Sequence, residues 1–155
     1  MTYKEPPEGW FTFGTHVEIP GPLEFSDETD EAGMPLWERL VVNPVMVVRS
    51  MKNGTTGERL GRYCFVWCPG CERHHCPVVA EEDGWRPSIC WDWDGNLEAP
   101  TFSPSYLEYG WENDARERCH SFIKAGKWQF LSDCTHALAG QTVDMVPVPD
   151  WLMVQ

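Results

Sequence analysis

Basic charge is scarce in this sequence. Twelve lysines and arginines stand against twenty-four aspartates and glutamates, a net charge of −12, which argues against the phosphate-tracking surface that nucleic-acid binding rests on. Long apolar runs are missing as well: no stretch approaches the roughly 20 residues that a membrane-spanning helix needs, so no membrane partner is expected. The opening MTYKEPPEGW has no basic segment followed by an apolar one, which predicts no signal peptide and a cytoplasmic location. Helix signals are few, with WERLVV and THALAG the only candidates for short helical turns, and no internal repeat is present.

What the chain does have is apolar and aromatic material in turn-rich surroundings. Of its 155 residues 42% are hydrophobic and 13% aromatic, nine of them tryptophan. That is the composition of a globular protein long enough to bury a core. Thirteen glycines and thirteen prolines favour many turns, so the expected fold class is mostly β (a β-rich α+β fold), one compact domain of antiparallel strands and hairpins with a zinc knuckle. Residues 1–40, rich in proline and acid, read as an irregular segment with a short strand at Trp10 to Phe13, and 41–155 as a β-rich zinc-binding domain. The acidic run EFSDETDEAG serves solubility, or a basic partner.

From Leu40 onward VVNPVMVVRS and RYCFVW read as two strands joined across Asn-Gly and Gly turn signals, and Pro44 confines or splits the first. CHSFIKAGKWQF reads as a hairpin closed at Ala125-Gly126, which pairs Ile123 with Trp128 and Ser121 with Phe130 and puts Cys119 on their face. His120 then points to the opposite face. The tail from Thr142 reads as a last edge strand. Trp91, Trp93 and Trp128 belong first to a core face, with exposure as a recognition surface the alternative.

The chemistry concentrates in cysteine and histidine. In a reducing compartment seven cysteines are thiols or metal ligands before they are disulfides. Within CPGCERHHC the Pro-Gly turn lets Cys68 and Cys71 face one ion, and tetrahedral zinc takes such a short-spaced pair plus a second pair from elsewhere. The preferred site is Cys68, Cys71, His75 and Cys119, with His136 as the alternative to His75. A second polar group, His120, Asp133 and His136, lies near the same hairpin end, where Asp133 could orient a ligating histidine or join the ligands. Cys64 and Cys90 read as core thiols and His74 as a solvated neighbour. A redox role for the C-x-x-C pair has little support, because no helix follows it.

The residues CPGC with His75, then WDWDGNLEAPTFSPS, then CHSFIKAGKWQFLSDCTHALAGQTV resemble a family of small uncharacterised proteins of tailed bacteriophages and bacterial genomes, over roughly Tyr63 to Val146. Members are sometimes labelled ammonia monooxygenase, a chemistry that thiolate ligands do not suit. Some relatives lie beside ubiquitin-like conjugation genes, so the resemblance implies an association with protein modification. The expected function is a zinc-binding phage-type accessory or interaction protein with a structural metal and a protein partner. The alternatives are a small zinc-dependent hydrolase using His120, Asp133 and His136, with Thr101, Ser103 or Ser105 lining its pocket, and a virion structural part.

Overall fold

Strand formation follows the β-branched and aromatic runs. The computed structural model describes residues 17–18, 23–25, 27–36, 38–40 and 44–149. The strand expected at Trp10 to Phe13 lies outside them. In chain order the strands are β1 (Val17–Glu18), β2 (Leu23–Phe25), β3 (Glu38–Leu40), β4 (Met46–Lys52), β5 (Arg59–Cys68), β6 (Arg73–His75), β7 (Val78–Val79), β8 (Asp92–Trp93), β9 (Phe102–Ser103) and β10 (Tyr106–Gly110). A single 3-10 turn (Trp111–Asn113) leads into β11 (Asp114–Lys124), β12 (Lys127–Phe130) and β13 (Thr142–Asp144). The mostly β, antiparallel expectation holds.

Two sheets carry the fold. One has the order β1-β4-β5-β6, with β7 also pairing β5, and the other the order β10-β11-β12-β13. Every strand pair named here is antiparallel, and β2-β3 and β8-β9 form small pairs of their own. The β4–β5 hairpin closes where Asn53 accepts from the Thr55 and Thr56 amides at 2.9 and 3.1 Å, an Asx turn of the kind the Asn-Gly sequence favours. Pro44 precedes β4 rather than splitting it, and its carbonyl accepts from Val148 N at 2.9 Å. The final strand, β13, forms the edge beyond β12, as the sequence suggests. THALAG makes turns rather than helix.

The β11–β12 hairpin has the register read from its turn: Ile123 opposite Trp128 and Ser121 opposite Phe130. Ala125 and Gly126 both lie in the left-handed region, φ 47° and 75°, as a type I′ turn requires. A Cβ on Gly126 would stand 3.0 Å from Ala99 Cα. The close approach lets Gly126 N donate to Pro100 O and Ala125 N to Thr101 Oγ1. Thus the hairpin tip anchors the PTFSPS segment that leads into β10.

The inward faces of both sheets meet in one core: Met46, Val48, Cys64 and Val66 from the first, Ile123, Trp128 and Phe130 from the second. Trp128 is fully buried, stacks on Phe130 at 5.4 Å and meets the edge of the His75 ring at 5.9 Å. Trp91 and Trp93 pack against this core while remaining half-buried. Cys68 and Cys119 sit within the same cluster, so the core runs directly into the candidate site. Cys64 is buried, as expected of a core thiol, while Cys90 is only half-buried. Among the described residues no helix is long and apolar enough to cross a membrane.

Candidate functional site

The CPGC turn at the end of β5 and the hairpin strand β11 deliver side chains to one point. Cys68, Cys71, His75 and Cys119 lie with their ligand atoms all within 4.8 Å of one another, close enough to hold a metal ion. Cys68 Sγ and Cys119 Sγ are 3.9 Å apart. Zinc–thiolate bonds of about 2.3 Å in a tetrahedron set sulfurs about 3.8 Å apart. Cys71 N also points at Cys68 Sγ, at 3.3 Å, which fixes the turn around the first thiol.

His75 is fully buried. Its Nδ1 faces the Glu108 carboxylate on β10, and Glu108 in turn accepts from Tyr106 Oη at 3.0 Å. With Nδ1 facing a carboxylate, Nε2 is the ring atom left to serve the thiols, and loss of its proton would give an ion a lone pair there; neither buried ring nitrogen has a hydrogen bond of good geometry. Burial alone would lower the His75 pKa, but the neighbouring Cys68, Cys71 and Glu108 side chains outweigh it and hold it well above the usual range. Burial likewise pushes Glu108 upward, and contact with His75 brings its carboxyl below the ordinary value. Hydrogen bonding to Cys119 and then to Cys68 lowers the pKa of the Cys71 thiol, while hydrogen bonding to Cys68 and then to Cys71 raises that of Cys119. The cluster therefore favours deprotonating one thiol before its neighbours.

His136 approaches the same thiols in a different way. Cys119, Cys134 and His136 form a second group, with His136 Nε2 3.5 Å from Cys119 Sγ. The Leu138 amide donates to His136 Nδ1 at 3.2 Å, so Nδ1 is the unprotonated nitrogen and Nε2 carries the hydrogen toward the Cys119 sulfur. The ring lies over Gly70 of the CPGC turn, where any Cβ would overlap it. A cleft of about 270 Å³ lined by Cys71, Arg73, Glu117, Arg118, Thr135 and His136 opens beside this edge of the thiol site.

On the other face of β10 and β11 a second constellation stands. His120 Nε2 is 3.0 Å from Ser105 Oγ, and His120 Nδ1 is 3.2 Å from Asp133 Oδ2. Arg118 lies 3.8 Å from the same carboxylate oxygen. The side chains of His120 and Asp133 are 26% and 43% exposed, so a substrate can reach them. Local structure explains the meeting. Past Phe130 the chain leaves β12 but stays against β11, with Leu131 N bonding to His120 O and Thr135 N to Arg118 O, both at 2.9 Å. That detour brings Asp133 to the His120 ring.

His120 and Asp133 are thus together, as the second polar group required, but His136 is with the thiols and Ser105 takes the third place. Asp133 touches His120 rather than a residue of the thiol site; Glu108, not singled out by sequence, is the carboxylate on His75. Thr101 bonds the hairpin tip. His74 is half-buried, and burial lowers its pKa to about 4. The signal for Ser105 was the order Ser…His…Asp along the chain, which only the β10–β11 pairing converts into proximity. There Tyr106 stands opposite Ser121 and Leu107 opposite His120.

Residues 42–131 match the family model described as BubE, bacterial ubiquitination-like system serine protease. The match spans more than half of the chain, includes Ser105, His120 and all four residues of the thiol site, and ends two residues before Asp133. The chain belongs to this family. It has no match among curated proteins or among solved structures.

Proposed function

We propose that this family member is a serine protease in which Ser105 is the nucleophile, His120 the general base and acid, and Asp133 the group that orients it. The observation that carries the reading is the continuous contact from Ser105 Oγ through His120 to Asp133. An Asp carboxylate on Nδ1 keeps the proton there and leaves Nε2 as the acceptor for the serine hydroxyl. Ser105 Oγ attacks the scissile carbonyl while His120 Nε2 takes its proton. The same nitrogen then protonates the leaving amine, and water repeats the sequence on the acyl-enzyme. The family description supports a protein substrate within a bacterial ubiquitination-like system. Exposed Leu107 stands directly opposite His120 and two residues from Ser105, an apolar wall beside the bond to be cut.

The thiol site is structural in this reading and takes zinc. Its donor set of three thiols and one imidazole suits zinc over harder or redox-active ions, and the separation of the two sulfurs fits. His75 serves as the fourth ligand because its ring lies among all three thiols with Nδ1 on Glu108, so that Nε2 binds the ion as it gives up its proton, whereas His136 Nε2 donates to Cys119. Four protein ligands leave no open position for a reacting water.

The test is labelling with a fluorophosphonate probe, followed by peptide mapping. Stoichiometric labelling of Ser105, abolished in Ser105→Ala with the fold retained by circular dichroism, is the expected result. Equal labelling of Ser105→Ala, or none of the folded wild type, refutes the protease assignment.

A further inference from the structure

Each member of the Ser105, His120 and Asp133 group has a chain neighbour engaged with the thiol site. Ser105 precedes Tyr106, whose hydroxyl reaches Glu108 and so His75. His120 follows Cys119, and Asp133 precedes Cys134. Side chains alternate across a strand, so β10 and β11 carry one constellation on each face. Cys134 joins the two faces. It lies with Cys119 and His136, and its Sγ both accepts from His120 N at 3.2 Å and donates to His120 O at 3.1 Å. Beyond Phe130 the regular β11–β12 ladder has ended; Leu131 N still bonds His120 O at 2.9 Å, and this thiol supplies the acceptor that a partner strand would have given His120 N, with a second bond to the carbonyl.

We propose that Cys134 is a positioning residue for the reaction, clamping the His120 backbone so that its ring stays between Ser105 and Asp133. This rests on the serine-protease reading. Cys134 is outside the four-ligand set, so its loss should disturb the imidazole without emptying the metal site. A displacement of about 1 Å in a catalytic group costs on the order of 10²-fold, and removing both thiol bonds from a half-exposed histidine, whose carbonyl then keeps the Leu131 amide while its own amide loses the sulfur, allows a shift of that size.

The experiment compares Cys134→Ala and Cys134→Ser with the wild type, measuring fluorophosphonate labelling rate, zinc per chain and hydrogen exchange at the His120 amide. In Cys134→Ala labelling should fall at least about tenfold and the His120 amide should exchange faster, with zinc unchanged. Cys134→Ser, whose hydroxyl can both donate and accept, should recover most of both. Unchanged labelling and exchange in Cys134→Ala overturn the proposal, as does loss of zinc or of the fold in that variant, or failure of serine to restore what alanine loses. If the wild type is not labelled at all, the protease reading fails by itself, and hydrogen exchange still decides whether Cys134 holds His120.

Discussion

Replacing Asp133 by asparagine tests the order of protons along Ser105, His120 and Asp133. In the serine-protease reading the carboxylate 3.2 Å from Nδ1 accepts the hydrogen bond of the Nδ1 proton, and Nε2, 3.0 Å from Ser105 Oγ, is free to take the serine proton. Asparagine keeps the size and the contact but can present its amide hydrogens to Nδ1. The imidazole then holds its proton on Nε2, and Ser105 can only accept. Loss of the right tautomer costs about 10⁴-fold in turnover, about 5.4 kcal/mol at about 1.36 kcal/mol per tenfold. Asp133→Ala makes the comparison sharper. Because Asp133 is 43% exposed, water can enter the space and accept from Nδ1, so alanine should lose less than asparagine. Labelling rate with a fluorophosphonate, read beside thermal unfolding, checks both. An asparagine variant that reacts within threefold of the wild type, or better than the alanine variant, refutes the role assigned to Asp133.

Two further outcomes follow from the thiol site. Elemental analysis should find about one zinc per chain in the wild type and in His136→Ala, but much less in His75→Ala, because His75 is the histidine that stands among all three thiols; the opposite ranking reverses the ligand assignment. Gly70→Ala should destabilise the fold by about 1–3 kcal/mol, the usual cost of forcing a methyl into filled space, since its Cβ would overlap the His136 ring. Thermal melting measures this, and an unchanged midpoint removes the packing argument.

Hairpin chemistry and alternation were legible in the sequence because they are local. The Ala125-Gly126 turn fixed the pairing of Ile123 with Trp128 and of Ser121 with Phe130, and from it the opposite facing of Cys119 and His120. Glu108 was hidden, and Ser105 was read only as one of three residues that line the pocket, because their partners are set by pairing between β10 and β11, whose strands are separated by the Trp111–Asn113 turn. No short turn signal fixes that register, and it shifts by a bulge after Tyr109. His136 was read two ways, as an alternative ligand beside Cys119 and as a member of the Asp133 group, and the structure places it with Cys119. Its proximity to Asp133 in the chain suggested a shared group, but the turn from Ser132 to Gly140 sends the two side chains to different faces.

Counting faces also separates the two roles of the hairpin end. A histidine adjacent to a metal-ligand cysteine invites assignment to the same ion, yet in an extended strand the neighbours diverge, and the ring of His120 meets a hydroxyl and a carboxylate where Cys119 meets thiols. An ion on one face and a proton relay on the other can therefore be built from consecutive residues without competing for a ligand. The arrangement gives the relay something that exposed loops seldom provide: strands fixed by a fully buried Trp128 and by four convergent donors. Positioning to within about 0.5 Å is what such chemistry demands. Among the described residues no α-helix lends rigidity, so in the serine-protease reading a sheet edge held by a metal would be a sufficient physical reason for placing a thiol site directly behind Ser105.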